Sequence, residues 1–168
     1  MKAYLLGALH DGSNHGNTYR IVQKEEEYVR WIADELHQMG ISAWVYREGA
    51  ERHLFVVEFS KSRLSEIKIN SLEEKTEYIR GYFDAEGSVP LKSGARMYIY
   101  FCQKDRKDLE EVKTFLEELG IVCGKTHNPT FKEPDYWRFF IGCKSYKAFA
   151  SKIGSRHPRK RKVLEKMI

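Results

Sequence analysis

Two stretches of this chain repeat one another at an offset of 80 residues, which demands a duplicated architecture before any single element is assigned. Gln23-Lys24 leads into an amphipathic stretch ending at Gly40-Ile41, and Gln103-Lys104 leads into one ending at Gly120-Ile121. Within them Val29, Ile32, Leu36 and Met39 correspond to Leu109, Val112, Leu116 and Leu119, a spacing that lines one face of a helix. Gly40 and Gly120 stand where a left-handed residue ends a helix. At 168 residues the chain can bury one core or two closely packed halves, and no Gly/Pro/Ser-rich linker separates them.

Extended segments flank each helix. Thr18–Lys24 and Arg96–Gln103 precede them, and the pairs Ser42–Arg47 with Arg52–Ser60 and Ile121–His127 with Tyr136–Cys143 follow as hairpins. In Arg96–Gln103, Arg96, Tyr98 and Tyr100 alternate with Met97, Ile99 and Phe101, so one sheet face is apolar and the other displays arginine and tyrosine. Arg20 joins that polar face in the first copy, and Arg138 and Tyr136 join it in the second if the last hairpin keeps parity. Ser71-Leu72-Glu73-Glu74 reads as a capping box, placing the joint near residue 70. The expected fold class is α+β: two pseudosymmetric αββαββα repeats, 1–70 and 71–168, the second ending in the basic run Arg156–Lys162.

Each unit opens with an apolar helix that ends in an acid followed by glycine, Asp11-Gly12 and Glu86-Gly87. A helix C-terminus carries partial negative charge, so an acid there loses about 0.3–1 kcal/mol. Either dipeptide alone is a common turn signal. Its recurrence at matching points suggests a need for paired carboxylates, and hard divalent cations are the obvious use. Ala3 with Gly7 and Gly81 with Ala85 are small residues four apart, which lets two helices approach closely and brings Asp11 beside Glu86.

The 29 Lys+Arg against 24 Asp+Glu, a net charge of +5, suit a polyanionic partner. The longest apolar run, Tyr4–Leu9, is far short of the ~20 residues of a membrane-spanning helix, and no secretory leader is evident, so a cytoplasmic location is expected. Cys102, Cys123 and Cys143 lack zinc-site spacing and read as small core residues.

Tyr78-Ile79-Arg80-Gly81-Tyr82-Phe83-Asp84-Ala85-Glu86-Gly87 closely resembles the LAGLIDADG motif of homing endonucleases, and Tyr4–Gly12 resembles it more loosely. The doubled architecture is similar to that of compact single-chain enzymes encoded within archaeal introns. The resemblance implies that the two motif helices pack at the centre and that two saddle-shaped antiparallel sheets face DNA. It further implies a monomeric, site-specific endonuclease that breaks both strands of a long asymmetric target by metal-dependent phosphodiester hydrolysis. Asp11 and Glu86 would be the metal ligands, sharing two or three Mg²⁺ ions for which Mn²⁺ substitutes. Gln23, Lys24, Gln103 and Lys104 would surround the metals, although each alone is an ordinary polar strand-to-helix junction. Arg20, Arg96, Tyr98, Tyr100 and Arg138 become the candidate DNA contacts. An RNA-binding intron maturase, with the chain's own intron RNA as partner, and a catalytically inactive DNA-binding regulator are the competing readings. Retention of both acids favours cleavage. One departure is that Gly7 stands four residues before Asp11 whereas Gly81 stands five before Glu86, so the first helix is expected to shift register and adjust its last turn.

Overall fold

The computed structural model describes residues 1–49, 51–61, 68–92 and 94–168. A pair of crossing helices, α1 (Lys2–Ala8) and α3 (Leu72–Glu86), forms its centre. Their closeness follows from glycine: a Cβ built on Gly81 would sit 2.9 Å from the amide nitrogen of Ala8 and closer still to the carbonyl oxygen of Tyr4. On Gly7 it would run into the Tyr78 carbonyl and the Tyr82 amide. Neither position tolerates a side chain, because backbone rather than a movable side chain occupies the space. Ser71 caps α3 by accepting from the Glu74 amide at 3.1 Å, and the Glu74 carboxylate accepts from the Ser71 amide at 2.9 Å.

Each central helix lies against its own sheet. In the first half β1 (Ser13–His15), β2 (Thr18–Gln23), β3 (Ala43–Glu48) and β4 (Leu54–Ser60) form an antiparallel sheet of order β1-β2-β4-β3. In the second, β5 (Gly87–Ser88), β6 (Tyr100–Gln103) and β7 (Trp137–Phe140) pair antiparallel in that order. Helices α2 (Glu26–Gln38) and α4 (Arg106–Glu118) cover the apolar faces, equal in length and 80 residues apart. Val29, Ile32 and Leu36 are fully buried in one core, and Leu109, Val112 and Leu116 in the other. Both helices end alike: Gly40 and Gly120 have φ of 69° and 76°, and the amides of Ile41 and Ile121 reach back to the carbonyls of Leu36 and Leu116.

The second sheet is shorter than the alternation suggests. The strand expected over Arg96–Gln103 begins only at Tyr100, because its partner β5 stops at Ser88 and Pro90 has no amide proton to extend the ladder. The hairpin expected over Ile121–His127 and Tyr136–Cys143 survives as β7 and two isolated bridges, Cys123↔Ile141 and His127↔Arg138. The register slips by one residue between them, so an extra residue bulges from the 121–127 side and interrupts the strand. The helix expected to close the first repeat falls on 62–67, outside the described residues. The basic run Arg156–Lys162 is not a solvated tail; most of it lies in α6 (Pro158–Leu164), which follows α5 (Tyr146–Lys152). Cys143 is exposed and Cys102 and Cys123 half-buried, so the cysteines are only partly core residues. Among the described residues no helix is long and apolar enough to cross a membrane.

Candidate functional site

The two acids stand at the foot of the helix pair, and the missing residue in the first motif is absorbed there. Helix α1 stops at Ala8, and Leu9–Asp11 tightens into a 3₁₀ turn. Since a 3₁₀ residue rises about 2.0 Å and an α residue about 1.5 Å, four steps from Gly7 and five from Gly81 cover the same length, about 7.5 Å. His10 holds the tightened turn in place, with Nε2 2.9 Å from the Tyr78 hydroxyl and Nδ1 3.1 Å from Asp108.

Each carboxylate is gripped by the glutamine at the end of the neighbouring strand. Gln23 donates to Asp11 at 2.8 Å and Gln103 to Glu86 at 3.2 Å, so the 80-residue repeat is reproduced in the hydrogen bonding. Burial raises the Asp11 pKa, against the pull of Lys160 and Gln23. Burial and then the charge of Asp11 push Glu86 up to about 7, against Gln103 and Lys160. Each acid thus sits where its charge is resisted by its surroundings. A pair of oxygen donors in that condition suits a hard divalent cation. Among the described residues no group of three or more His, Cys, Asp or Glu side chains is arranged around a metal, so a cation here would complete its coordination from outside these acids. Lys24 and Lys104 are exposed at equivalent strand-to-helix junctions, and Lys24 lines a cavity with Asp11 and Gln23.

Beneath the acids lies a buried polar cluster that sequence reasoning missed. Asp84, 2% exposed, accepts from the Tyr4 hydroxyl at 2.7 Å, the Arg156 amide at 2.9 Å and the Ser155 hydroxyl. The ammonium of Lys160, 4% exposed, donates to the last-turn carbonyls of Phe83 and Asp84 at 2.8 and 2.7 Å. It neutralises the negative helix end on which Glu86 sits. Burial draws its pKa down to about 8, with Asp84 pulling the other way. His157 Nε2 lies 3.2 Å from Glu25 at the start of α2; burial and Lys160 lower its pKa to about 4, so it donates as a neutral ring. The available signal was Asp84 itself, an acid directly after the apolar pair Tyr82-Phe83.

The polar sheet faces are built as the alternation implies, with differences in detail. On the second, Tyr98 stacks on Tyr100 with centroids 5.5 Å apart, and the Arg138 guanidinium lies 4.3 Å over Tyr100 and 5.7 Å from Tyr136. Arg96 is exposed in the segment before β6. On the first, Arg20 is not free: it pairs with Glu48 at 2.9 Å and approaches Glu58 at 3.8 Å. Glu58 also accepts from Thr18 at 2.6 Å and Tyr46 at 2.8 Å, so this face carries a satisfied carboxylate at its centre. Both Arg20 and Arg138 keep a buried Nε proton without a hydrogen bond.

Residues 73–154 match the model of the LAGLIDADG-like domain. The homing endonuclease I-ApeI of Aeropyrum pernix is 29% identical over 98% of this chain and 86% of its own. The solved complex of I-DmoI with DNA and Mn has a TM-score of 0.68 at 20% identity, covering 93% of this chain and 97% of that one. The N-terminal LAGLIDADG domain of DUF199/WhiA has a TM-score of 0.73 at 13% identity, covering 99% and 86%. Doubled motif helices, paired antiparallel sheets and these likenesses agree: residues 73–154 match a LAGLIDADG-like domain, and the fold of the whole chain is similar to that of I-DmoI.

Proposed function

We propose that this chain is a site-specific DNA endonuclease that cuts both strands of an asymmetric duplex by divalent-metal-dependent phosphodiester hydrolysis. The observation that carries the reading is the acid pair: Asp11 and Glu86 end the two central helices, each held by an equivalent glutamine, at the junction of the two halves. A relative over nearly the whole chain is named a homing endonuclease, and I-DmoI has been solved with DNA and Mn. The fold alone does not select cleavage, and the acid pair does. A protein that only binds phosphate backbones gains nothing from two resisted carboxylates turned towards them, which sets cleavage above an inactive DNA-binding regulator or an RNA-binding maturase.

Mg²⁺ or Mn²⁺, as two or three ions shared between the acids, would supply activated water and neutralise charge developing on the phosphate. The chain's own residues perform the rest. Asp11 and Glu86 present oxygen donors, Gln23 and Gln103 fix their orientation, and Lys160 relieves the negative end of α3 from below. Lys24 and Lys104 offer mobile positive charge at the rim, where transition-state charge accumulates. Arg20, Arg96, Tyr98, Tyr100 and Arg138 are assigned to the DNA-facing surfaces, with Arg138 prearranged by its ring neighbours and Arg20 released from Glu48 on binding. Because both acids belong to one chain, a monomer suffices. The division into repeats 1–70 and 71–168 is part of this reading, supported by the two separate apolar cores.

Incubation with a library of duplexes, with and without Mg²⁺, tests the proposal. Sequence-dependent double-strand breaks that require the metal are expected. Absence of any metal-dependent break would overturn it, and tight binding to intron RNA without duplex cleavage would favour the maturase.

A further inference from the structure

The basic run divides its side chains by direction, and Arg159 turns towards the Asp11 cavity. His157 reaches from the second half to Glu25 of the first, Arg156 lies 5.7 Å over Trp31, and Lys160 is committed to the end of α3. These contacts pin the backbone on both sides of Arg159. The Arg159 side chain lines a cavity of about 470 Å³ together with Asp11, Gln23 and Lys24, and its Nη1 is buried without a hydrogen-bond partner. A buried guanidinium donor left unmatched is costly, and one that lines an open cavity is placed to be satisfied by an acceptor entering it. Glu25 shares the cavity wall but is engaged by His157.

We propose that Arg159 is a phosphate-binding residue of the Asp11 half of the site, gripping a backbone phosphate of the duplex beside the acid; this rests on the endonuclease reading. Two cations, Lys24 and Arg159, line the cavity beside a carboxylate that would hold a divalent ion, and they would donate to the free oxygens of a phosphodiester placed there. Arginine is suited to this because its planar fork meets phosphate through two parallel bonds, which a lysine cannot reproduce. The contact comes from a helix of the second half leaning on the first, so it serves the Asp11 side. The two strands should then depend on it unequally.

The test uses the full-length protein and the duplex selected by cleavage above. In Arg159→Ala, one strand should be cut at least tenfold more slowly than the other, so that nicked duplex accumulates. With Ca²⁺ in place of Mg²⁺, the slope of log affinity against log salt should shrink by about 0.9, one phosphate contact. Arg159→Lys should restore the salt slope while leaving the strand bias, since it keeps the charge and loses the fork. Thermal melting of both variants guards against a folding defect, and Arg159→Gln replaces the alanine variant if that fails to fold. Equal cutting of both strands with an unchanged slope would overturn the assignment while leaving the endonuclease reading intact. If no duplex in the library is cut by the unmodified protein, the endonuclease reading fails first and this inference falls with it.

Discussion

Glu86 is the residue at which stability and function pull apart. Its folded-state pKa of about 7 lies above the usual carboxylate range because burial and Asp11 both resist its charge. Between that range and pH 7 the folded protein holds a proton that the unfolded chain has released, so this residue makes stability fall as pH rises. Glu86→Gln removes the charge and should raise the melting temperature at pH 8, with little gain at pH 5. Comparing variant with unmodified protein at each pH cancels the opposite trend from His157, which burial keeps neutral. A difference in melting temperature that does not change with pH would contradict the proposed electrostatics. Both acids were legible in the sequence because they recur beside glycine at an unfavourable helix end. The partner of Asp84 was not, since Lys160 has no counterpart in the other repeat and a lysine within a basic run gives no sign that it turns inward.

At the scale of elements, the central crossing depends on two glycines whose missing side chains are filled by the facing backbone. Gly81→Ala should destabilise the protein by about 1–3 kcal/mol, the range for overpacking, as measured by denaturant midpoints. It should also lower cleavage, because spreading α1 and α3 moves the acids apart; full stability and activity would show that the helices do not need the close approach. Helix α6 secures the end of α3 in a different way. Lys160→Met leaves the Phe83 and Asp84 carbonyls and the Asp84 carboxylate without their ammonium, a loss of about 3 kcal/mol for a broken buried charge interaction, readable from the same midpoints. The position and buried face of the amphipathic helices were readable, because period 3.6 and a terminal glycine are local signals. The second sheet was not, because Pro90 and the slip between Cys123 and His127 act on pairing, and pairing depends on a partner strand distant in the chain.

The whole molecule is pseudosymmetric about its central helix pair and asymmetric in chemistry. Each half sends a histidine to the amphipathic helix of the other, His10 to Asp108 on α4 and His157 to Glu25 at the start of α2, so the halves are fastened at both ends of the acid pair. One polar face centres on a hydrogen-bonded glutamate carboxylate and the other on stacked rings beneath an arginine, which implies different half-sites in the target. With about 6–10 phosphate contacts, affinity for the selected duplex should fall by about 10³–10⁵ between 50 and 200 mM salt. A flat response in a binding titration would remove the sheets from the interface. The central claim is that two convergent carboxylates share divalent ions at the scissile phosphates, and the most direct measurement is cleavage and binding of the selected duplex by Asp11→Asn and Glu86→Gln. Each single variant is expected to lose double-strand cleavage in Mg²⁺ while binding the duplex in Ca²⁺ within a few-fold of the unmodified protein. Undiminished cutting by either variant would contradict the account.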